Sequence, residues 1–416
     1  MKSTPLEQGI GKAPRTDPFI PFARPDIGAR EIEAVVEVLG SGWITTGNVV
    51  RSFEREFAAY VGAPHAVAVN SGTAAMHLGL EALGIRSGDE VVTSTLTFTA
   101  TAEVMVYLGA RPRFVDVEPD TLNISADMLR SCLQGEYLRR EGAWHHRETG
   151  NRLGGIVPVH YAGHPCDMDA VLSIAAEYDI PVLDDAAHSL PAGIHGRRIG
   201  SFRCPTAFSF YATKTMTTGE GGMLCTADPI LAQRARIMSL HGISQDAWNR
   251  YASDGKWFYE VVEAGYKYNL TDIAGALGRV QLARCDEMLA CREAIAARYH
   301  EAFASLEAIE RPVCRPGVQH AWHLYPIRLR LDALRIDRAR FIEELSARGV
   351  GASVHFIPLH QQPFYAHRYG YRPTDFPEAA AAYRRLVSIP IYSAMSAQNV
   401  EAVAAAVRDV VEVFQA

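Results

Sequence analysis

At 416 residues, 48% hydrophobic and 21% charged, the chain has an ordinary globular make-up but is too long for one core, so two domains are expected. A net charge of -6 excludes the basic footprint of a nucleic-acid or anionic-membrane binder, and no apolar run reaches the roughly 18 residues that span a bilayer. Seven scattered cysteines with no C-x-x-C pair speak against a disulfide framework or zinc knuckle, and for reduced thiols in the cytoplasm.

Residues 1–20 lack the apolar centre of a signal peptide and read as a flexible tail. ARPDIGAREIEAVVEVLGSG has apolar residues at helical spacing and glycines at its end, which predicts a helix. HAVAVNSGTAAMHLGLEAL reads as strand, turn and helix, and DEVVTSTLTFTATAEVMVYLG repeats the pattern. RPRFVDVE, GGIVPVHYAG, DIPVLDDAAH, TAFSFYA and GGMLCTA supply further strands, with MDAVLSIAAEY as an intervening helix. Strands alternating with helices predict a large α/β domain over 21–275 with a mostly parallel sheet. Residues 134–153 interrupt the rhythm with a mixed, charged segment, read as a surface insertion whose adjacent His145 and His146 are solvated and bind no metal. From about residue 276 long helical patterns precede strands around WHLYPIRLRL and VGASVHFIPL, which predicts a smaller C-terminal α+β domain over 276–416.

Three short stretches carry chemistry. In Val69-Asn70-Ser71-Gly72-Thr73-Ala74-Ala75 a small-residue turn opens a helix, a geometry that cups phosphate or that Ser71 or Thr73 simply caps. In Leu183-Asp184-Asp185-Ala186-Ala187-His188 two carboxylates end a strand where open α/β folds place ligands; one of them could equally cap a helix. In FSFYATKTMTTGEGGM a lone lysine, Lys214, follows Ser209. The chain has only five lysines, Lys2, Lys12, Lys214, Lys256 and Lys267, and otherwise uses arginine, which cannot lose its proton and attack a carbonyl. Cup, carboxylate and amine together are the groups that hold pyridoxal 5'-phosphate (PLP), with Phe98 placed to cover its ring or else to join the core.

In RPDIGAREIEAVVEVLGSGWITTG, NSGTAAMH, TFTATAE, VHYAGHPCDMDA, LDDAAHSLPA, FSFYATKTMTTGEGGM, GYKYNLTDIAGALG and HAWHLYPIRL, the chain resembles the PLP-dependent sugar aminotransferases of the DegT/DnrJ/EryC1/StrS family, from about Pro21 to near its C-terminus. SGWITTG, VHYAG and GYKYNLTDI are most similar to the UDP-4-amino-4-deoxy-L-arabinose aminotransferases within it. The resemblance implies fold type I, with a homodimer that shares its active sites.

It also implies roles. Lys214 would bond to the cofactor, Asp185 would pair with the pyridine nitrogen, and His188 would lie near the ring hydroxyl and the substrate. Gly72, Thr73 and Ser209 would bind the phosphate, Phe98 would stack on the ring, and Lys267 or Asn269 would complete the neighbouring subunit's phosphate site. His355 would touch substrate from the small domain. The implied reaction carries an amino group from an amino acid, L-glutamate, to a nucleotide-linked keto sugar such as a UDP-4-keto sugar. Cyclitol or aminobenzoate aminotransferases and non-enzymatic PLP-binding regulators are the competing readings. Many relatives carry Asn and Arg where this chain has Lys267 and Asn269, and the arabinose enzymes carry Trp at the position of Phe98.

Overall fold

The computed structural model describes residues 19–244 and 259–416. All but the last two residues of the tail expected over 1–20 lie outside the described residues, as does Lys256. Two helices lead, α1 (Ala29–Ser41) and α2 (Asn48–Val61). Strands and helices then alternate: β1 (His65–Val69), α3 (Gly72–Ala82), β2 (Asp89–Ser94), α4 (Thr99–Tyr107), β3 (Arg111–Val115) and α5 (Ala126–Glu136). The hairpin β4 (Tyr137–Arg140) and β5 (Ala143–His146) precedes β6 (Arg152–Val157), α6 (Met168–Tyr178) and the short β7 (Asp184–Asp185). A ribbon of β8 (Gly193–Ile194) and β9 (Arg197–Arg198) leads to β10 (Thr206–Ser209), β11 (Gly222–Thr226) and α7 (Pro229–Met238).

The C-terminal part starts with α8 (Asp272–Ala283) and α9 (Cys285–Ala302). It continues through β12 (Ile309–Glu310), β13 (Val318–Gln319), β14 (Tyr325–Leu329), α10 (Arg338–Ala347) and α11 (Pro363–Tyr369). It ends with α12 (Pro377–Arg385), β15 (Leu386–Ile389) and α13 (Ala397–Phe414). Tyr299, Tyr325, Phe341, Val387 and Val407 pack a second core there, around the sheet β12–β14–β15.

β3, β2 and β6 pair in parallel. Parallel bridges Ile156–Val182 and Val159–Asp185 bring β7 beside β6, and β10 pairs in parallel with β7. β11 runs antiparallel between β10 and β1. The large sheet therefore reads β3-β2-β6-β7-β10-β11-β1, and β11 alone is reversed in that series. All of β2 and β11 is buried, as strands covered on both faces by helices must be. Because the strands other than β11 point the same way, the turns after β1, β2, β6, β7 and β10 gather at one edge. Phe208 and Phe210 are buried against Phe57, with ring centroids 5.1 and 5.4 Å away. The strand's two-residue period turns Ser209, between them, to the opposite face at that edge.

The insertion expected over 134–153 is built into the sheet: β4 and β5 form an antiparallel hairpin that extends β6. His146, expected to be solvated, is buried. Its Nδ1 accepts the main-chain N–H groups of Glu148 and Thr149 at 3.3 and 3.2 Å, its Nε2 lies 3.6 Å from Glu136, and its ring packs edge-on against Tyr137. It closes a turn. His145 is half-buried and its Nδ1 lies 3.0 Å from Gly150 O. Among the described residues no cluster of side chains is arranged to hold a metal.

α2 has no capping side chain of its own, because Gly47 precedes it. Asp272, in the first turn of α8, supplies the cap instead: its carboxylate accepts the N–H groups of Gly47, Val49 and Val50 at 2.8, 3.3 and 2.9 Å. That bond set ties the SGWITTG motif to the NLTD motif. Asp272→Ala leaves those buried donors unpaired, so we expect a loss of about 1–2 kcal/mol of unfolding free energy, read as a lower urea midpoint at unchanged slope.

Candidate active site

At the carboxyl edge of the large sheet a cavity of about 470 Å³ is lined by the turns after β1, β2, β7 and β10 and by residues 353–356 of the C-terminal part. β1 ends at Val69, and Ser71 caps α3 by accepting the N–H of Ala74 at 3.0 Å. The N–H groups of Gly72 and Thr73 have no helical acceptor ahead of them and stand at the positive end of the helix dipole. A Cβ at Gly72 would lie 2.8 Å from the Cβ of Ser209, so glycine lets the helix end and the serine close around the same space. That is an anion cup, and Gly72, Thr73 and Ser209 all line the cavity.

The two carboxylates of LDDAAH part company, as successive strand residues do. Asp184 turns inward, where its Oδ1 lies 2.8 Å from Nε2 of His160 and both side chains are wholly buried. The N–H of Cys166 donates to Nδ1 of His160 at 2.9 Å, so that ring carries a proton on Nε2, the nitrogen that faces Asp184. Asp185 faces the cavity at 3% exposure. Its Oδ2 accepts from Thr101 Oγ1 at 2.7 Å and its Oδ1 from the N–H of Ala187 at 3.1 Å. Burial pushes its carboxyl above the ordinary range, against the pull of those two bonds and of the Lys214 charge.

Lys214 lines the same cavity. Burial lowers its amine from 10.5 to about 8, with the charge of Asp185 as the opposing influence. His188 and His355 also line the cavity. Burial, helped by the Lys214 charge, holds His188 well below the ordinary imidazole value and brings His355 down to about 4. The Nδ1 of His355 lies 2.9 Å from Ser388 Oγ and its carbonyl accepts from Tyr161 Oη at 2.5 Å. Phe98, 56% exposed at the start of α4, leans against Phe356 with centroids 5.8 Å apart. It is a wall of the cavity, so the reading that buried it in the core does not hold.

Lys267 and Asn269 do not reach this cavity. Lys267 Nζ donates to Asn269 Oδ1 at 2.6 Å, and Asn269 Nδ2 donates to Thr46 Oγ1 at 2.7 Å. Thr101, Phe22, His323 and Phe356 are among the cavity residues that carried no role in the sequence reading. Thr101 is one of four threonines in TLTFTAT, and its position in the first turn of α4 was the available signal. His323 sits inside the motif HAWHLYPIRL, where histidine recurs without a spacing that marks one as special.

The DegT/DnrJ/EryC1/StrS aminotransferase family matches residues 25–408 of this chain. SpsC of Bacillus subtilis, a spore coat polysaccharide biosynthesis protein, is 46% identical over 395 residues, 95% of this chain and 97% of its own. The uncharacterized protein MJ1066 of Methanocaldococcus jannaschii is 46% identical over 393 residues, 94% of this chain and 98% of its own. Among solved structures, Spr1654 of Streptococcus pneumoniae in its PLP form superposes with a TM-score of 0.84 at 32% identity, covering 95% of this chain and 99% of that one. The same protein was also solved in a PMP form. PseC of Helicobacter pylori, an aminotransferase involved in pseudoaminic acid biosynthesis, gives 0.84 at 26% identity, covering 95% of this chain and 100% of that one.

The residues present fit PLP on their own chemistry: an amine that loses its proton readily, a buried carboxylate, an anion cup at a helix end and an exposed aromatic ring beside them. In cofactor-free protein, capture of a small aldehyde by Lys214, trapped with borohydride across a pH series, should reach half its maximum near pH 8. Asp185→Asn removes the charge that favours the ammonium form and so moves that midpoint lower; a native midpoint near 10.5 would contradict the desolvation described above.

Proposed function

We propose a specific transfer for a chain that belongs to the DegT/DnrJ/EryC1/StrS aminotransferase family. The chain is a PLP-dependent sugar aminotransferase. In our reading the donor is L-glutamate and the acceptor a nucleotide-linked keto sugar, a UDP-4-keto sugar, on the way to a polysaccharide or lipopolysaccharide precursor made in the cytoplasm. The observation that carries it is the convergence of Lys214, Asp185 and the Gly72–Thr73–Ser209 cup on one cavity. SpsC is named for polysaccharide biosynthesis and PseC for pseudoaminic acid biosynthesis, which supports a glycan destination. No described helix is long and apolar enough to cross a membrane.

When bound, the cofactor supplies an electron sink, so that a hydrogen next to nitrogen can leave as a proton. The chain's own groups do the rest. Lys214 would hold the aldehyde carbon of the bound cofactor, and its Nζ, when free, would take the proton leaving the donor's α-carbon. In the second half it delivers a proton to the sugar carbon that receives nitrogen. An amine near pKa 8 suits both directions, since each protonation state is populated close to neutral pH. Asp185 would pair with the pyridine nitrogen and keep it protonated. Gly72, Thr73 and Ser209 would hold the phosphate, and Phe98 would cover the ring. His188 would stand beside the ring hydroxyl and the substrate, and His355 would meet the substrate from the C-terminal part.

The site is completed, in this reading, by a second copy, with Lys267 or Asn269 serving the neighbour's phosphate. Ile32, Val36 and Leu39 leave an apolar stripe on α1 at 45, 59 and 53% exposure, which supports a homodimer.

Lys214→Ala should abolish both the visible band of the PLP-loaded protein and its conversion by glutamate; retained turnover would refute the assignment. Shared sites make a further demand. Mixed and re-equilibrated, Lys214→Ala and Asn269→Ala variants should form hybrids with one intact site and recover activity that neither shows alone, whereas self-contained sites give no recovery.

A further inference from the structure

The turn over residues 320–324 is held with unusual care. Trp322 has φ 48°, a left-handed conformation that a bulky residue keeps only where its surroundings over-determine it. Those surroundings are a second turn, that of the VHYAG motif. The N–H groups of Ala321 and Leu324 donate to the carbonyls of Gly163 and Ala162 at 2.9 and 3.1 Å. Gly163 itself has φ 97°, and a Cβ there would sit 2.9 Å from the carbonyl of His188 and 3.1 Å from the nitrogen of His323. The two turns interlock directly behind His188.

Arg292 of α9 grips the same turn from the other side. Its Nη1 donates to the carbonyls of Trp322 and Ile391 at 3.0 and 2.9 Å and reaches that of His323 at 3.4 Å. Arg292 is 2% exposed, and no carboxylate among the described residues lies within ion-pair distance of it. A guanidinium taken from water with only carbonyls to meet it is a costly way to fasten a surface-independent turn. The outcome is the placement of one side chain: the His323 ring lies 4.3 Å from the His188 ring, tilted by 44°, at the wall of the cavity. Neither ring's Nδ1 has a hydrogen-bond partner among the described residues. Burial holds both rings well below the ordinary imidazole value, and at His323 the neighbouring His188 adds to that effect.

We propose that His323 is a positioning residue that sets the orientation of His188 at the cavity wall, and that Arg292 sets His323 by gripping the turn on which it stands. The inference rests on the cavity being the cofactor site. In this inference His323 acts through His188, the ring it packs against.

A double-mutant cycle on the PLP-loaded protein tests it. His323→Phe keeps a ring of similar volume and removes the imidazole. It should move the maximum of the resting visible band and slow the conversion of that band by L-glutamate about tenfold, roughly 1.4 kcal/mol of barrier, with KM for glutamate little changed. In a His188→Asn background the same substitution should change neither readout further, because the residue through which it acts is gone. Arg292→Met should reproduce the His323→Phe band shift, and Arg292→Lys should restore part of it. A wild-type band and rate in His323→Phe, or effects that add to those of His188→Asn, overturn the proposal. Should His323→Phe fail to fold, His323→Asn is read by the same criteria. A wild-type protein that shows no visible band with PLP sinks the cofactor reading and this inference together; a normal wild-type band with unmoved variants sinks this inference alone.

Discussion

A primary amine and a carboxylate share one poorly hydrated cavity, and burial works against the charge on each. Burial brings the Lys214 amine from 10.5 down to about 8, while the Asp185 carboxyl is pushed up. Such a pair costs stability in a protein that only needs to fold. It makes sense where a neutral amine is the reagent and a carboxylate has a cation to receive. The rest of the architecture answers to that constraint. The parallel strands bring the lysine turn, the aspartate and the helix end to one edge. Helices cover both faces of the sheet, and the C-terminal part adds His355 and Phe356 to the cavity wall.

The motifs that looked separate in the sequence work in docked pairs. SGWITTG meets NLTD through Asp272, which caps a helix it does not belong to. VHYAG meets HAWHLY through the carbonyls of Ala162 and Gly163. TFTATAE meets LDDAAH through Thr101 and Asp185. Each pair brings together residues far apart in the chain, so neither partner's role can be read from its own neighbourhood.

That is also the measure of what the sequence made legible. Lys214 stood out because the chain avoids lysine, and Gly72 and Thr73 stood out because strand-turn-helix signals are local, whereas the role of Ser209 came with the family resemblance. The alternation of apolar strands and helices was enough for the large sheet and its mostly parallel sense. Residue patterns alone left the two aspartates of LDDAAH undivided, because the choice between cavity and interior depends on which neighbour His160 finds. Thr101 was hidden among equivalent threonines, and His323 and Arg292 were hidden because their significance lies only in tertiary contacts. His146 was misread for a related reason: a polar, charged context looks solvated until the hairpin around it adds to a sheet and its ring is needed to satisfy a turn.

β7 has only two residues, held by Thr206–Asp184 and Ala207–Asp185 on one side and by the Val159–Asp185 bridge on the other. Losing or gaining one codon just ahead of it would trade the two faces, sending the interior acid to the ligand side and leaving His160 opposite the wrong neighbour. A point change along this strand alters one side chain, whereas a single-residue indel inverts the site. Lineages descended from this chain can vary their surface loops in length far more freely than these few positions, whose frame is as constrained as their identity.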